Sequence, residues 1–287
     1  MNKSLPYSFS VPSSWYDGLF KDKGSVVKAS RPFTLLHKEK SNKAVLLIHG
    51  FTGYPGEMVR PAEDLYLAGF DVFVPRLPGH GTTGKDFMKT GKEDWIGLME
   101  NALVAIEKEY EEVSVVGHSM GGAIASILLS CHSEIKRGVL CCPGIELLSL
   151  NDKLLKTISF LSHFVKRMKQ KWQSDDRYHM HYEDAPVDDE YFGSEYWRYA
   201  YPKQILALAE IAKEAREGLG NIKSPVLVIG AEKDVLTDPE SVFSIAKEIG
   251  ENGEAIMIKD ATHYIYYDIS EKAENEAVEA TVSFLSK

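Results

Sequence analysis

Val113-Ser114-Val115-Val116-Gly117-His118-Ser119-Met120-Gly121-Gly122 decides how this chain is read. A β-branched run enters a Gly-x-Ser-x-Gly turn. Ala123-Ile124-Ala125-Ser126-Ile127-Leu128-Leu129 then begins a helix. Strand, sharp turn carrying a serine, then helix is the pattern of a nucleophile elbow. So tight a turn holds its serine in a strained backbone conformation. Strand and helix meet where Gly117 and Gly121 stand, so both positions must be small.

Working outward, apolar runs alternate with helical patterns. Ala44-Val45-Leu46-Leu47-Ile48, ended by His49-Gly50, reads as a strand buried on both faces. Glu57 to Ala68 reads as helix, Phe70 to Val74 as strand and Asp94 to Tyr110 as an amphipathic helix. A strand follows the elbow helix from Gly138 to Cys142. The rhythm resumes with helix Lys203 to Glu217, strand Pro225 to Gly230, helix Pro239 to Ile249, strand Glu254 to Ile258 and helix Glu271 to Leu285. Such alternation implies right-handed βαβ crossovers and a mostly parallel sheet flanked by helices. Ser25 to Ala29 and Phe33 to His37 read as short edge strands. Residues 1–24 read as an ordered arm, 25–144 with 203–287 as the α/β core, and 145–202 as an insertion. The insertion opens with an apolar, basic helix from Asp152 to Met168 and continues into an acidic, aromatic-rich stretch from Asp175 to Tyr201.

The bulk properties exclude several classes. A net charge of −9 argues against nucleic acid as a partner. No apolar run approaches the roughly 20 residues that span a bilayer, and the first residues lack the apolar core of a signal peptide. Cys131, Cys141 and Cys142 have neither disulfide-framework nor metal-ligand spacing, and read as buried thiols in a reducing cytoplasm.

A serine hydroxyl needs a base to take its proton, and the base needs a third group to fix its tautomer. Of nine histidines, one, His263, lies beyond the insertion, just past the last predicted strand. Asp234, immediately past Val226-Leu227-Val228-Ile229, is the leading acid. Asp238 and Asp260 are its rivals. Asp238 precedes Pro239 as a helix N-cap would, and Asp260 is close to His263 along the chain. For the oxyanion, the N–H of Met120 follows the nucleophile, and that of Phe51 lies in the loop His49-Gly50-Phe51-Thr52-Gly53. His118 is expected to point away from Ser119, and His49 and His80 to bond loop backbone. The pairs His132/His163 and His179/His181 lack further ligands at metal spacing. In the insertion, Leu154, Ile158, Leu161 and Val165 fall on one helical stripe, widened by Phe160 and Phe164, and are candidates to line a substrate pocket. Lys153, Lys156, Lys166, Arg167 and Lys169 read either as a solvated outer face or as a rim for transient contact with an anionic lipid surface.

His49-Gly50-Phe51-Thr52-Gly53, Arg76-Leu77-Pro78-Gly79-His80-Gly81, the elbow, Asp234 and Thr262-His263 together resemble the α/β-hydrolase superfamily, more narrowly the bacterial monoacylglycerol lipases and related carboxylesterases. The resemblance runs from about Phe33 to the C-terminus and implies an α/β-hydrolase fold whose insertion is a cap, or lid. It implies a serine hydrolase acting on small-molecule carboxylic esters, monoacylglycerols or similar medium-chain acyl esters, through an acyl-enzyme and without cofactor or metal. An amidase or serine aminopeptidase of the same superfamily, and a non-catalytic ligand-binding relative, are the alternatives.

Overall fold

The computed structural model describes residues 5–171 and 192–287. An eight-stranded sheet forms its centre. The strands are β1 (Tyr7–Ser8), β2 (Phe33–Leu35), β3 (Lys43–Ile48), β4 (Asp71–Val74), β5 (Glu112–His118), β6 (Gly138–Cys141), β9 (Val226–Ala231) and β10 (Gly253–Ile258). Their order is β1-β2-β4-β3-β5-β6-β9-β10. From β4 to β10 every neighbour is parallel, and β1 and β2 add an antiparallel edge. This is the α/β-hydrolase architecture.

Alternation along each strand divides the core into two layers. Ala44, Leu46 and Ile48 of β3 pack with α3 (Lys92–Glu107), α4 (Met120–Cys131) and α6 (Pro202–Gly218). Val45 and Leu47 face α1 (Val59–Leu67) and α8 (Glu271–Leu285). The helix α7 (Ser241–Ile249) joins the first layer through Val242, Ile245 and Ile249. Both faces being covered explains why the parallel strands read as unbroken apolar runs.

Register decides where the site falls. Ile48 lies opposite Gly117, His118 opposite Cys141, and Ala231 opposite Ile258. The loops leaving β3, β5, β6, β9 and β10 therefore emerge at one edge, the carboxyl edge where open α/β sheets bind ligands.

The amino-terminal residues differ from the expectation. Ser25 to Ala29 forms no strand; a 3₁₀ turn occupies Lys28–Ser30, and Tyr7–Ser8 supplies the edge strand instead. These amino-terminal residues strap the loop that carries Arg76 and Gly79. Asp22 forms a 2.7 Å ion pair with Arg76 and accepts the Gly79 N–H at 2.7 Å. Trp15 is buried, and the Tyr16 hydroxyl donates to the Arg76 carbonyl.

Between β6 and α6 the chain forms a helix, α5 (Asp152–Ser162), then a strand pair of β7 (Met168–Lys169) and β8 (Tyr199–Ala200), with a π-helical turn at Gly193–Trp197. α5 stops at Ser162, short of the expected Met168. Its buried direction is centred between Ile158 and Ser162, with Leu155, Leu161 and Val165 half-buried beside them. Leu154, in the first turn, is exposed. Phe160 and Phe164 are 68% and 75% exposed, so they extend the outer surface rather than the buried stripe. Most of the acidic stretch from Asp175, and the pair His179/His181, lie outside the described residues. Cys131 is exposed, against expectation, because it ends α4 on the solvent side; Cys141 and Cys142 are buried. Among the described residues no helix is long and apolar enough to cross a membrane.

At the elbow Ser119 has φ +56° and ψ −121°. A Cβ added at Gly121 would land on the Ile48 carbonyl oxygen, and one added at Gly117 on that of Gly121. These contacts are backbone and cannot rotate away. We expect Gly121→Ala to destabilise the fold by about 2–3 kcal/mol, a melting-temperature drop of roughly 5 °C or more. An unchanged melting curve would contradict this packing.

Candidate active site

Ser119, His263 and Asp234 come from three different loops at the carboxyl edge and meet in one hydrogen-bonded line. The Ser119 Oγ lies 2.9 Å from His263 Nε2, and His263 Nδ1 lies 2.6 Å from Asp234 Oδ2. The tautomer protonated at Nδ1 satisfies both contacts, leaving Nε2 to accept from the serine hydroxyl. His263 and Asp234 are both buried.

Asp234 is held before it holds anything. Its Oδ1 accepts the N–H groups of Leu236 and Thr237 at 2.7 and 3.0 Å, and its Oδ2 accepts the Thr237 hydroxyl at 2.7 Å. Burial pushes this carboxyl up, but the His263 contact and the Thr237 donors outweigh it and hold the group at about 2. It is therefore an anion at neutral pH, placed where an imidazolium would form. The rivals fall elsewhere. Asp260 is exposed and paired with Lys233 at 2.6 Å, and Asp238 accepts the Glu240 N–H.

His118 and Asp268 hold the histidine loop. The His118 ring does not reach Ser119; its Nε2–H donates to the His263 carbonyl at 2.7 Å. Burial and the neighbouring His263 push His118 down to about 3, so it is neutral. Asp268 accepts the Thr262 N–H and hydroxyl at 2.6 and 2.7 Å. Position alone marked His118, next to the nucleophile; Asp268 carried no such signal.

The Phe51 loop lies beside the serine. The Gly53 N–H donates to the Gly50 carbonyl at 3.1 Å, closing a turn with Phe51 and Thr52 at its centre. Among the described residues no loop, turn or cap hydrogen bond uses the N–H of Phe51 or Met120. Met120 begins α4, where the helix dipole favours negative charge. His49 and His80 serve loop geometry. His49 Nε2 accepts the Leu77 N–H at 3.1 Å, and His80 packs edge-on to Phe51, Phe87 and Trp95.

Cys142, Asp234 and His263 place one potential metal-ligand atom each within 4.8 Å of one another. The two Asp234 oxygens already accept four hydrogen bonds, one of them from His263, so this donor set is engaged by the serine line itself. His132 pairs with Glu100 at 2.7 Å, and His163 bonds the Ser159 carbonyl. Of Leu154, Ile158 and Leu161 only Ile158 is buried.

A buried carboxyl sits behind the Phe51 loop. Glu57 packs against Gly53, with its Oε2 3.4 Å from the Gly50 N and the Tyr267 hydroxyl 3.3 Å from its Oε1. Burial raises it to about 8 against these donors, so the native chain retains a proton that the unfolded chain loses above about 4.5. With more protons bound in the native state, stability from this group falls as pH rises from the unfolded to the folded value. We expect the neutral Glu57→Gln to gain on wild type across that window, by at most about 1.4 kcal/mol per pH unit. Urea midpoints at about pH 5 and 8 measure it. An equal difference at both would contradict the buried, protonated carboxyl.

The Hydrolase_4 family, described as serine aminopeptidase, S33, matches residues 39–270. A thermostable monoacylglycerol lipase of Bacillus sp. (strain H-257) is 24% identical over 263 residues, covering 91% of this chain and 96% of the relative. A carboxylesterase of Bacillus subtilis (strain 168) is 25% identical over 260 residues, covering 86% and 98%. The crystal structure of Paleococcus ferrophilus monoacylglycerol lipase superposes with a TM-score of 0.70 at 20% identity, covering 89% of this chain and 98% of that one. The family match takes in the elbow, the Phe51 loop, Asp234 and His263 alike, and the chain belongs to the Hydrolase_4 family of α/β-hydrolases.

Proposed function

We propose that this chain is a serine hydrolase of carboxylic esters, working through an acyl-enzyme on Ser119. The observation that carries this reading is the Asp234–His263–Ser119 line, with its 2.6 and 2.9 Å contacts. His263 Nε2 takes the Ser119 proton as Oγ attacks the ester carbonyl. The carbonyl oxygen becomes an oxyanion, held by the N–H groups of Phe51 and Met120. Asp234 stabilises the imidazolium, which then protonates the departing alcohol as the carbon–oxygen bond breaks. Water, deprotonated by the same His263, attacks the acyl carbon and releases the acid, and Ser119 regains its proton.

The names of the Bacillus relatives, a monoacylglycerol lipase and a carboxylesterase, support ester substrates, and monoacylglycerols or similar medium-chain esters within them. In this reading residues 145–202 form a cap over the sheet edge, 1–24 an arm, and the rest the core. Ile158, with Leu161 and Val165, lines the inner face of the cap. The outward Phe160 and Phe164, among Lys156, Lys166, Arg167 and Lys169, support transient contact with an anionic lipid surface. Three cysteines without a disulfide-framework spacing support a cytoplasmic location. The family's description favours a second reading, an aminopeptidase, because amide cleavage uses the same groups.

We expect Ser119→Ala and His263→Ala each to lower kcat/KM on p-nitrophenyl esters by about 10⁴-fold, and Asp234→Asn somewhat less. Wild-type rates in either alanine variant would sink the assignment. A fall in Asp260→Asn with none in Asp234→Asn would move the acid.

Substrate class is read from a panel. Each buried CH₂ contributes about 0.8 kcal/mol, so kcat/KM should climb from acetate to medium-chain esters, and monoacylglycerols should be cleaved. Best activity on acetate esters would contradict the medium-chain reading, and faster cleavage of aminoacyl p-nitroanilides would establish the aminopeptidase. On anionic vesicles carrying monoacylglycerol, Phe160→Ser/Phe164→Ser should lose rate while keeping its rate on soluble esters. Equal rates on vesicles would remove the lipid contact.

A further inference from the structure

The turn that carries the Phe51 N–H is not held by the sheet alone. Its third residue, Thr52, has φ +57°, a conformation a β-branched side chain avoids. Strain of this kind persists only where surrounding groups over-determine it. Both central carbonyls of the turn are occupied. The Thr52 hydroxyl donates to the Phe51 carbonyl at 2.7 Å, and the Thr52 carbonyl accepts the indole N–H of Trp197 at 3.1 Å.

Trp197 lies 145 residues further along the chain, at the end of the π-helical turn Gly193–Trp197. A π turn closes i to i+5, which brings residues five apart to one side. The Phe192 and Trp197 rings accordingly lie 5.2 Å apart. Both face Tyr54, at 4.6 and 6.2 Å, just after the Thr52–Gly53 bend. Tyr196, between them, packs edge-on to Phe87 at 4.9 Å, and Phe87 packs on the Phe51 ring at 5.5 Å. One short turn thus grips the Phe51 loop at the ring of Tyr54 and at the carbonyl of the strained Thr52, and reaches the ring of Phe51 through Phe87.

The geometry points to Trp197 as a positioning residue: its indole N–H fixes the Thr52 carbonyl and thereby aims the Phe51 N–H at the oxyanion. The chain that crosses the carboxyl edge and the oxyanion donor form one mechanical unit. This rests on the ester-hydrolase reading of Ser119 and Phe51, and adds to it the element that makes the donor competent. Trp197 touches no reacting atom.

Trp197→Phe keeps an aromatic ring against Tyr54 and Phe192 and removes the donor. Losing an oxyanion donor outright costs about 10²–10³ in kcat, so loosening one should cost about tenfold. We expect kcat on p-nitrophenyl butyrate to fall by about that factor with KM within about twofold. A trifluoromethyl ketone, whose tetrahedral adduct on Ser119 uses the same donors, should weaken by the same factor as kcat/KM. A merely structural role would not produce that match. Where Trp197→Phe does not fold, replacement of Trp197 by benzothienylalanine keeps the bicyclic ring without its N–H and should give the same result. A folded variant lacking the N–H with kcat at the wild-type level would overturn the proposal. So would a fall in kcat that leaves the trifluoromethyl ketone affinity unchanged. Wild-type protein inactive on every ester would instead overturn the ester-hydrolase reading, and this proposal with it.

Discussion

Everything at the site depends on how closely α4 can approach β3 and β5. Gly121 leaves no room for a side chain beside the Ile48 carbonyl, and Gly117 none beside Gly121. With helix and strand pressed together, the single residue joining them must turn through a left-handed conformation, and Ser119 does so at φ +56°. The turn is secured by backbone bonds on both sides. The Ser119 N–H donates to the Cys141 carbonyl at 2.9 Å, and the Gly144 N–H donates to the Ser119 carbonyl at 2.8 Å. The strain is thus met by the sheet, and the serine hydroxyl is left clear of the strand end.

Around that fixed serine the other groups are placed by polar contacts in series. Thr237 and Leu236 hold Asp234, Asp234 orients His263, and His118 holds the His263 backbone from the strand that delivers Ser119. Asp234 supplies the negative charge at the His263 ring. Burial keeps the nearby His118 and His49 neutral, and Glu57 is protonated at neutral pH. An anion hydrogen-bonded to the histidine ring is the arrangement that favours a transient imidazolium, the species the proposed mechanism requires.

Local pattern made the core legible. The apolar runs at Ala44–Ile48 and Val226–Ile229 are buried on both faces of a parallel sheet, so their composition carried the assignment. Ser119, Asp234 and His263 could be picked out because each follows a strand, and parallel strands end at one edge. What escaped was set by distant partners. Tyr7–Ser8 pairs with β2 although it has no strand pattern of its own, and Asp22 looks like any surface acid until Arg76 closes on it. Nor did the sequence stripe reveal that Leu154, in the first turn of α5, stays exposed. The motifs that contain Thr52 and His118 did not reveal what those residues hold, and Glu57 and Trp197 carried no functional signal, because the contacts that matter reach residues far along the chain.

The central claim is that Ser119 is an activated nucleophile because His263 and Asp234 stand behind it. Intact-mass spectrometry of the folded protein treated with a fluorophosphonate, followed by peptide mapping, tests it most directly. The account predicts one phosphonate per chain, carried on Ser119. No adduct on the folded protein, or an adduct on another residue with Ser119 untouched, would contradict it.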